Sequence, residues 1–290
     1  MGLKKHLPWW VRIGAKIILS RIPVSYATWR KLGLFRHGDM QNPEHALRTF
    51  KSHFERAASI QNIPKEFVSL ELGPGDSLLS GVIAKAFGAS RTYLVDTGRF
   101  AVQSVEPYQR LATILRKEYK MTMPSLENCS TLEDVMNVCD MIYLTEGVAS
   151  LACIPEKSVD FIWSQVVLEH VPRMQFHDLL QQLSRIAKGT SVSSHSVDLR
   201  DHLGGGLNNL RFSADFWESR FMSESGFYTN RFRYSEIMKM FGEAGFEVLM
   251  VNPCAWETLP INKSKMARQF SAMDEQDLLV SEFEVVLKTR

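Results

Sequence analysis

No apolar run in this chain approaches the ~20 residues that a helix needs to cross a bilayer. No Cys-x-x-Cys pair is present either. The four cysteines, Cys129, Cys139, Cys153 and Cys254, stand far apart, which excludes zinc-ribbon and thioredoxin-like chemistry and predicts free thiols in a reducing compartment. Charge of one sign is lacking: 34 Lys and Arg oppose 32 Asp and Glu, a net charge of +2 over 290 residues. No basic excess supplies the field that a phosphate-tracking surface requires, so a nucleic-acid partner is not expected. Internal repeats and low-complexity tracts are absent. What is present is ordinary for a globular chain, 45% hydrophobic and 23% charged residues. That is enough for one large domain with an extension, and too apolar for global disorder.

The extension is read over residues 1–40. Lys4 and Lys5 precede apolar residues, but Arg12 and Lys16 interrupt the run and no small-residue cleavage site follows cleanly. A secretory signal is therefore rejected and a cytoplasmic location expected. Residues 7–21, LPWWVRIGAKIILSR, open on Pro8 and stop before Pro23. At 100° per residue Lys5, Arg12 and Lys16 share one face and Trp10, Ile13, Gly14, Ile17 and Ile18 the other. This predicts a basic amphipathic helix that either lies on the domain behind it or makes peripheral contact with a membrane surface. Residues 31–40 read as a linker.

Residues 41–290 read as one domain. Asn42-Pro43-Glu44 predicts a helix start, and Leu47, Phe50, Phe54 and Ala57 predict its buried face. Strands are then expected at 67–72, 91–96, 141–145, 159–164 and 191–197, the last serine-rich. Helices are expected at 78–87, 107–119, 132–138 and 173–187. The 107–119 helix should bury Tyr108, Leu111, Leu115 and Tyr119. Alternating strands and helices predict an α/β fold, a parallel sheet covered on both faces. A helix at 237–244 and strands at 246–251 and 278–287 follow without a full crossover, which predicts an antiparallel pair at a sheet edge.

The most informative segment is Leu70-Glu71-Leu72-Gly73-Pro74-Gly75-Asp76-Ser77. It joins a strand to a helix, and its glycines permit a tight turn and close approach of a ligand to the backbone. Asp96 closes the next strand 23 residues after Gly73, where an acid can bind the ribose hydroxyls of a nucleoside. A dinucleotide fingerprint would place a third glycine at position 78, occupied here by Leu78. Glu71 would repel a pyrophosphate but suits a cationic ligand. Both features favour S-adenosylmethionine, which carries a sulfonium and an ammonium and no phosphate, over NAD.

Glu-Leu-Gly-Pro-Gly-Asp-Ser, Asp96 in YLVDTG, and VDFIWS running into Val167-Leu168-Glu169-His170-Val171 resemble the class I S-adenosylmethionine-dependent methyltransferases of the type 11 group. The resemblance spans about residues 65–195 and residues 244–248. It implies a doubly wound, Rossmann-like, seven-stranded sheet, mostly parallel with an antiparallel last strand. It also implies S-adenosylmethionine across the C-terminal ends of the first strands, among Glu71, Gly73, Gly75, Asp76, Ser77, Asp96, Ser150 and Ser164. Similar enzymes often carry an acid for the adenine amine where this chain has Val148, which leaves adenine to backbone groups or Ser150.

For methyl transfer to a hydroxyl a base is useful. His170, His202 and Asp198 are the candidates. Related quinone-pathway enzymes hold a metal with Glu-x-x-Glu-His, but Val166 replaces the first acid here. His195, Asp198 and His202 could ligate a metal, yet loop residues of this kind more often bond one another, so no metal is expected. Residues 198–233 form an acceptor-side insert rich in Asn, Arg and aromatics. Asp201, Asn209, Arg211, Asn230 and Arg231 are its candidate contacts to a polar small molecule or glycan. A methyltransferase acting at oxygen is the resulting expectation. A binding module without turnover, an NAD-dependent oxidoreductase and a membrane-attached scaffold remain as alternatives.

Overall fold

The computed structural model describes residues 40–290 and, before them, Gly14 alone. The amphipathic helix expected over residues 7–21 and nearly all of the linker lie outside the described residues. The first described helix, α1 (Pro43–Ala58), begins as expected: the Asn42 side chain accepts from the backbone N–H groups of Glu44 and His45.

Strands and helices then alternate: β1 (Val68–Leu72), α2 (Leu79–Ala86), β2 (Arg91–Val95), α3 (Glu106–Lys117), α4 (Leu132–Val138), β3 (Met141–Leu144), β4 (Val159–Gln165), α5 (Arg173–Ile186) and β5 (Ala187–Asp198). Short helices α6 (Ala214–Trp217) and α7 (Arg220–Ser223) precede α8 (Tyr234–Glu243) and β6 (Phe246–Ala255). Then α9 (Arg268–Ser271) and α10 (Glu275–Leu279) lead into β7 (Val280–Thr289).

The seven strands form one sheet in the order β3-β2-β1-β4-β5-β7-β6. The first five run parallel, and β7 is antiparallel to both β5 and β6. The expected seven-stranded, mostly parallel α/β sheet with an antiparallel last strand is the observed fold. Strand order reverses beside β1, the place where sheets of this kind bind ligands between the loops after β1 and β4.

Period-2 alternation divides each strand between two cores. Phe161 and Trp163 of β4 face α1, α2 and α3, where Phe50 lies edge-on to both rings at 6.1 and 5.7 Å. Leu70, Leu72, Ile162 and Val197 face α5 and α8. Ser194 of β5 is tolerated because a helix brings it a partner: His53 on α1 bonds Ser194 at 2.8 Å and, on β4, Gln165 at 2.8 Å. Arg56 reaches both Ser194 and Glu284.

Several boundaries differ from the sequence expectation. Tyr119 lies beyond the end of α3 and is 52% exposed, because the chain leaves the helix at Glu118. β5 starts at Ala187 with no loop after α5, and β6 runs on to Ala255 because β7 pairs along its length. Leu278 belongs to α10 and not to β7. Among the described residues no helix is long and apolar enough to cross a membrane.

Candidate functional site

β1 ends in the glycine turn. Gly73 (φ 66°) and Gly75 (φ 65°) are both left-handed, a region that a side chain enters at a cost. A Cβ on Gly73 would also sit 2.6 Å from Val167 Cγ2, so the turns after β1 and β4 touch at the crevice floor. The Gly75 N–H donates to Asp96 Oδ2 at 2.8 Å and the Thr97 N–H to Oδ1 at 2.7 Å. Asp96 is thereby aimed into the turn from the end of β2. The backbone N–H of Gly147 docks the loop after β3 on the Asp96 carbonyl at 2.8 Å.

Glu71 is buried beneath this turn and accepts from the Ser80 hydroxyl on α2. Burial raises its pKa to about 8; the Ser80 bond opposes the rise and the nearby charge of Asp96 adds to it. Asp76 and Ser77 are also buried, and the Ser77 hydroxyl accepts from the Leu79 N–H at 3.2 Å. Leu78, fully buried, occupies the start of α2, where a dinucleotide would need an open helix end.

Two expected cofactor residues have partners within the protein. Ser150 turns back on its own loop, accepting from the Glu146 N–H at 2.9 Å. Ser164, paired with the last residue of β1, is buried and bonds His195 Nδ1 at 2.7 Å across the β4–β5 register. Burial lowers the His195 pKa to about 3, with His53 adding to the fall.

The second half of the site gathers around the turn after β4. Val166 adopts φ 56°, an outlier for a β-branched residue, and leads into a single 3₁₀ turn, Leu168–His170. Asn230 fixes that turn: its backbone N–H donates to the Glu169 carbonyl at 2.7 Å and its amide to the carbonyls of Leu168 and Val171 at 2.8 and 3.0 Å. His170 Nδ1 bonds the Tyr228 carbonyl at 2.9 Å, which makes Nδ1 the donor and leaves Nε2 the lone pair. The His202 ring stands edge-on to it, 4.7 Å between centroids.

Glu169 is buried. The Asp198 N–H donates to Oε1 at 3.3 Å, and Oε2 has no hydrogen-bond partner. Burial raises the Glu169 pKa well above the carboxylate range, and the charge of Asp198 adds to this. Ligand atoms of Glu169, His170 and His202 lie within 4.8 Å of one another. The set weighed from sequence separates instead: His195 is inside the sheet, and only His202 reaches this cluster.

Both carboxylate oxygens of Asp198 are engaged within its own loop. Arg200 clasps it with Nε to Oδ1 at 2.9 Å and Nη2 to Oδ2 at 3.0 Å.

The acceptor-side residues are largely internal. Asp201 is buried and takes the N–H groups of Leu203, Gly205, Gly206 and Asn208, shaping the glycine-rich loop. Asn209 donates to Thr229 Oγ1 at 3.0 Å, and Arg211 to Asn208 Oδ1 at 3.0 Å. Arg231, buried and left-handed at φ 59°, donates to the carbonyls of Asn209 and Phe212 at 3.3 and 2.7 Å. It pairs with Glu218 at 3.4 Å and lies over the rings of Trp217 and Phe270. Asp201, Asn230 and Arg231, expected as acceptor contacts, are thus buried and bonded within a cap formed by these loops.

Sequence reasoning missed half of that cap. Residues 256–279 fold against the insert, with Ile261, Met266, Phe270 and Leu278 packed on Leu207 and Leu210. Their irregular spacing carries no helix or strand period. Arg233, fully buried, joins the two segments by donating to the carbonyls of Leu199 and Leu278 at 2.9 and 3.1 Å, and to that of Val280.

No family model and no curated protein matches this chain. Solved structures that are similar to it include a S-adenosylmethionine-dependent methyltransferase from Aquifex aeolicus, at 12% identity over 92% of this chain and 100% of that one, TM-score 0.41. Another, from Mesorhizobium loti, shares 12% identity over 81% and 96%, TM-score 0.44. Phosphoethanolamine N-methyltransferase 2 of Haemonchus contortus in complex with S-adenosyl-L-methionine shares 12% identity over 83% of this chain and 52% of its own, TM-score 0.48.

Proposed function

We propose that this chain is a S-adenosylmethionine-dependent methyltransferase acting on a polar small molecule or glycan, at oxygen. The observation that carries the reading is the pair of carboxyl groups, Glu71 and Asp96, set around a left-handed glycine turn at the ends of adjacent strands. The residues fit the cofactor. Asp96 suits ribose hydroxyls, Glu71 suits an ammonium, and Gly73 and Gly75 let a ligand approach the backbone. A pyrophosphate fits poorly, facing two acids and the buried Leu78.

The cofactor supplies an electrophilic methyl group on a sulfonium. The chain must hold an acceptor in line with it, exclude water and take up a proton. His170 is suited to the last task because the Tyr228 carbonyl holds Nδ1–H and orients Nε2 as the acceptor. His202 packs beside it on the loop after β5. The two loop segments beyond β5 and β6 cap this edge and shed solvent.

Calorimetric titration with S-adenosylmethionine, its demethylated product and NAD tests the reading. Binding of the first two and not of NAD is expected; NAD binding alone would overturn it. Asp96→Ala should weaken S-adenosylmethionine about 10-fold or more, because a charged hydrogen bond is worth ~1.5–3 kcal/mol.

A further inference from the structure

We propose that Glu169, His170 and His202 form a binding site for one divalent transition-metal ion of the zinc, manganese or iron(II) class. The proposal does not rest on the methyltransferase reading. Its first ground is the donor set. One carboxylate oxygen and two imidazole nitrogens converge within 4.8 Å, from two loops at the same sheet edge. Mixed imidazole and carboxylate donors suit these metals and not magnesium or calcium, which prefer all-oxygen sites.

The second ground is independent. Glu169 is 2% exposed, yet Oε2 has no hydrogen-bond partner. Buried carboxylate oxygens are almost always satisfied. Here the other oxygen already accepts from the Asp198 N–H, and the carboxylate shares its loop edge with the two histidines. A bound cation would satisfy it.

The third ground is orientation. Metal-binding histidines usually donate their other ring N–H to a carbonyl or carboxylate, which fixes the tautomer. His170 does so through Nδ1 to Tyr228, and Asn230 in turn locks the turn that carries Glu169 and His170. Bonds of ~2.1 Å in tetrahedral geometry place ligand atoms ~3.4 Å apart. The present separations therefore close by roughly an ångström. His202 is half-buried, on a loop that continues into Gly204, Gly205 and Gly206, where glycine lowers the cost of that adjustment. Three protein ligands leave at least one position open, the arrangement of a metal that binds an exogenous oxygen ligand.

The test uses the full chain after treatment with a chelator. Zinc, manganese and magnesium chlorides are titrated separately by calorimetry, and cobalt(II) is followed by visible absorption. One equivalent of zinc, bound in preference to magnesium, is expected, with cobalt bands of four- or five-coordinate geometry. Glu169→Gln and His202→Ala should each weaken zinc at least 10-fold while far-ultraviolet circular dichroism is unchanged. Wild-type protein that binds no zinc, that prefers magnesium, or whose zinc affinity survives His202→Ala would overturn the proposal. Should Glu169→Gln fail to fold, His202→Ala and the cobalt spectrum of the wild type still decide it. Neither readout involves S-adenosylmethionine, so failure here leaves the proposed cofactor binding standing, and the reverse; with an ion bound, the His170 Nε2 lone pair is a ligand and no longer the base proposed above.

Discussion

A carboxylic acid buried at the end of a central strand is stable either as the neutral acid or beside a cation. Glu71 is held in the first way, with its pKa raised to about 8 by burial. A ligand with an ammonium beside it would pull that pKa down. Between the two values binding should release close to one proton, and affinity for S-adenosylmethionine should rise with pH until about pH 8 and then level. Calorimetry at pH 7 in buffers of different ionisation enthalpy measures the proton directly. Glu71→Gln should abolish the release. Equal heats in all buffers for the wild type would place the ammonium elsewhere. The pairing of Glu71 with the glycine turn was readable from the sequence, since all its parts lie within a few residues. The partner Ser80 was not, because nothing local reveals that one turn of α2 returns its hydroxyl to the strand.

At the scale of elements, the cap is held by cationic side chains that never reach solvent. Arg233 joins the end of β5 to α10 and β7 through backbone carbonyls alone, and burial lowers its pKa to about 10. Arg233→Leu strands those acceptors at ~1–3 kcal/mol each. A loss of about 3 kcal/mol or more in denaturant unfolding is expected, and a change below ~1 kcal/mol would mean that water replaces the guanidinium. Arg231→Ala should act likewise, lowering stability more than it alters any acceptor affinity, because its donors serve Asn209, Phe212 and Glu218. A run of Asn, Arg and aromatics reads the same in sequence whether it faces a ligand or folds inward. Only the second segment, residues 256–279, decides which side is covered.

Across the whole molecule, buried ionisable groups set a pH optimum for the ligand-free chain. His53 and His195 titrate at about 4 and about 3 in the fold, below the usual ~6.5. The unfolded chain therefore binds more protons, so their contribution is complete above pH 6.5 and is lost as pH falls through 4. Glu71 and Glu169 are shifted upward, so their contribution is complete below ~4.5 and is lost as pH rises. The slopes oppose one another between about pH 4.5 and 6.5. Above 6.5 only the acids act, and Glu71 alone gives a decline of about 1.4 kcal/mol per pH unit up to pH 8. Urea unfolding at pH 5.5, 6.5 and 7.5 should show a plateau and then a fall, which Glu71→Gln makes shallower. Stability that climbs from pH 6.5 to 8 would contradict this balance.

By itself the sequence determined the alternation of strands and helices and the glycine turn between Glu71 and Asp96. These are local matters: hydrophobic period, backbone permission and the charge of neighbours fix them within a few residues. It also placed β5 correctly in number though not in length, since serines hide a central strand whose Ser194 is matched only when His53 and Arg56 on α1 are brought to it. Tertiary structure alone decided which polar side chains face the crevice. Asp198 was removed by Arg200, Ser164 by His195, and Asp201 by four backbone N–H groups. Glu169 and His170 acquired His202 from a loop 32 positions further along the chain. The reason is physical. A polar group's role depends on which partner reaches it first: for Ser164, Glu169 and His170 that partner comes from a distant strand or loop, and for Asp198 and Asp201 from a fold of their own loop that no hydrophobic period announces.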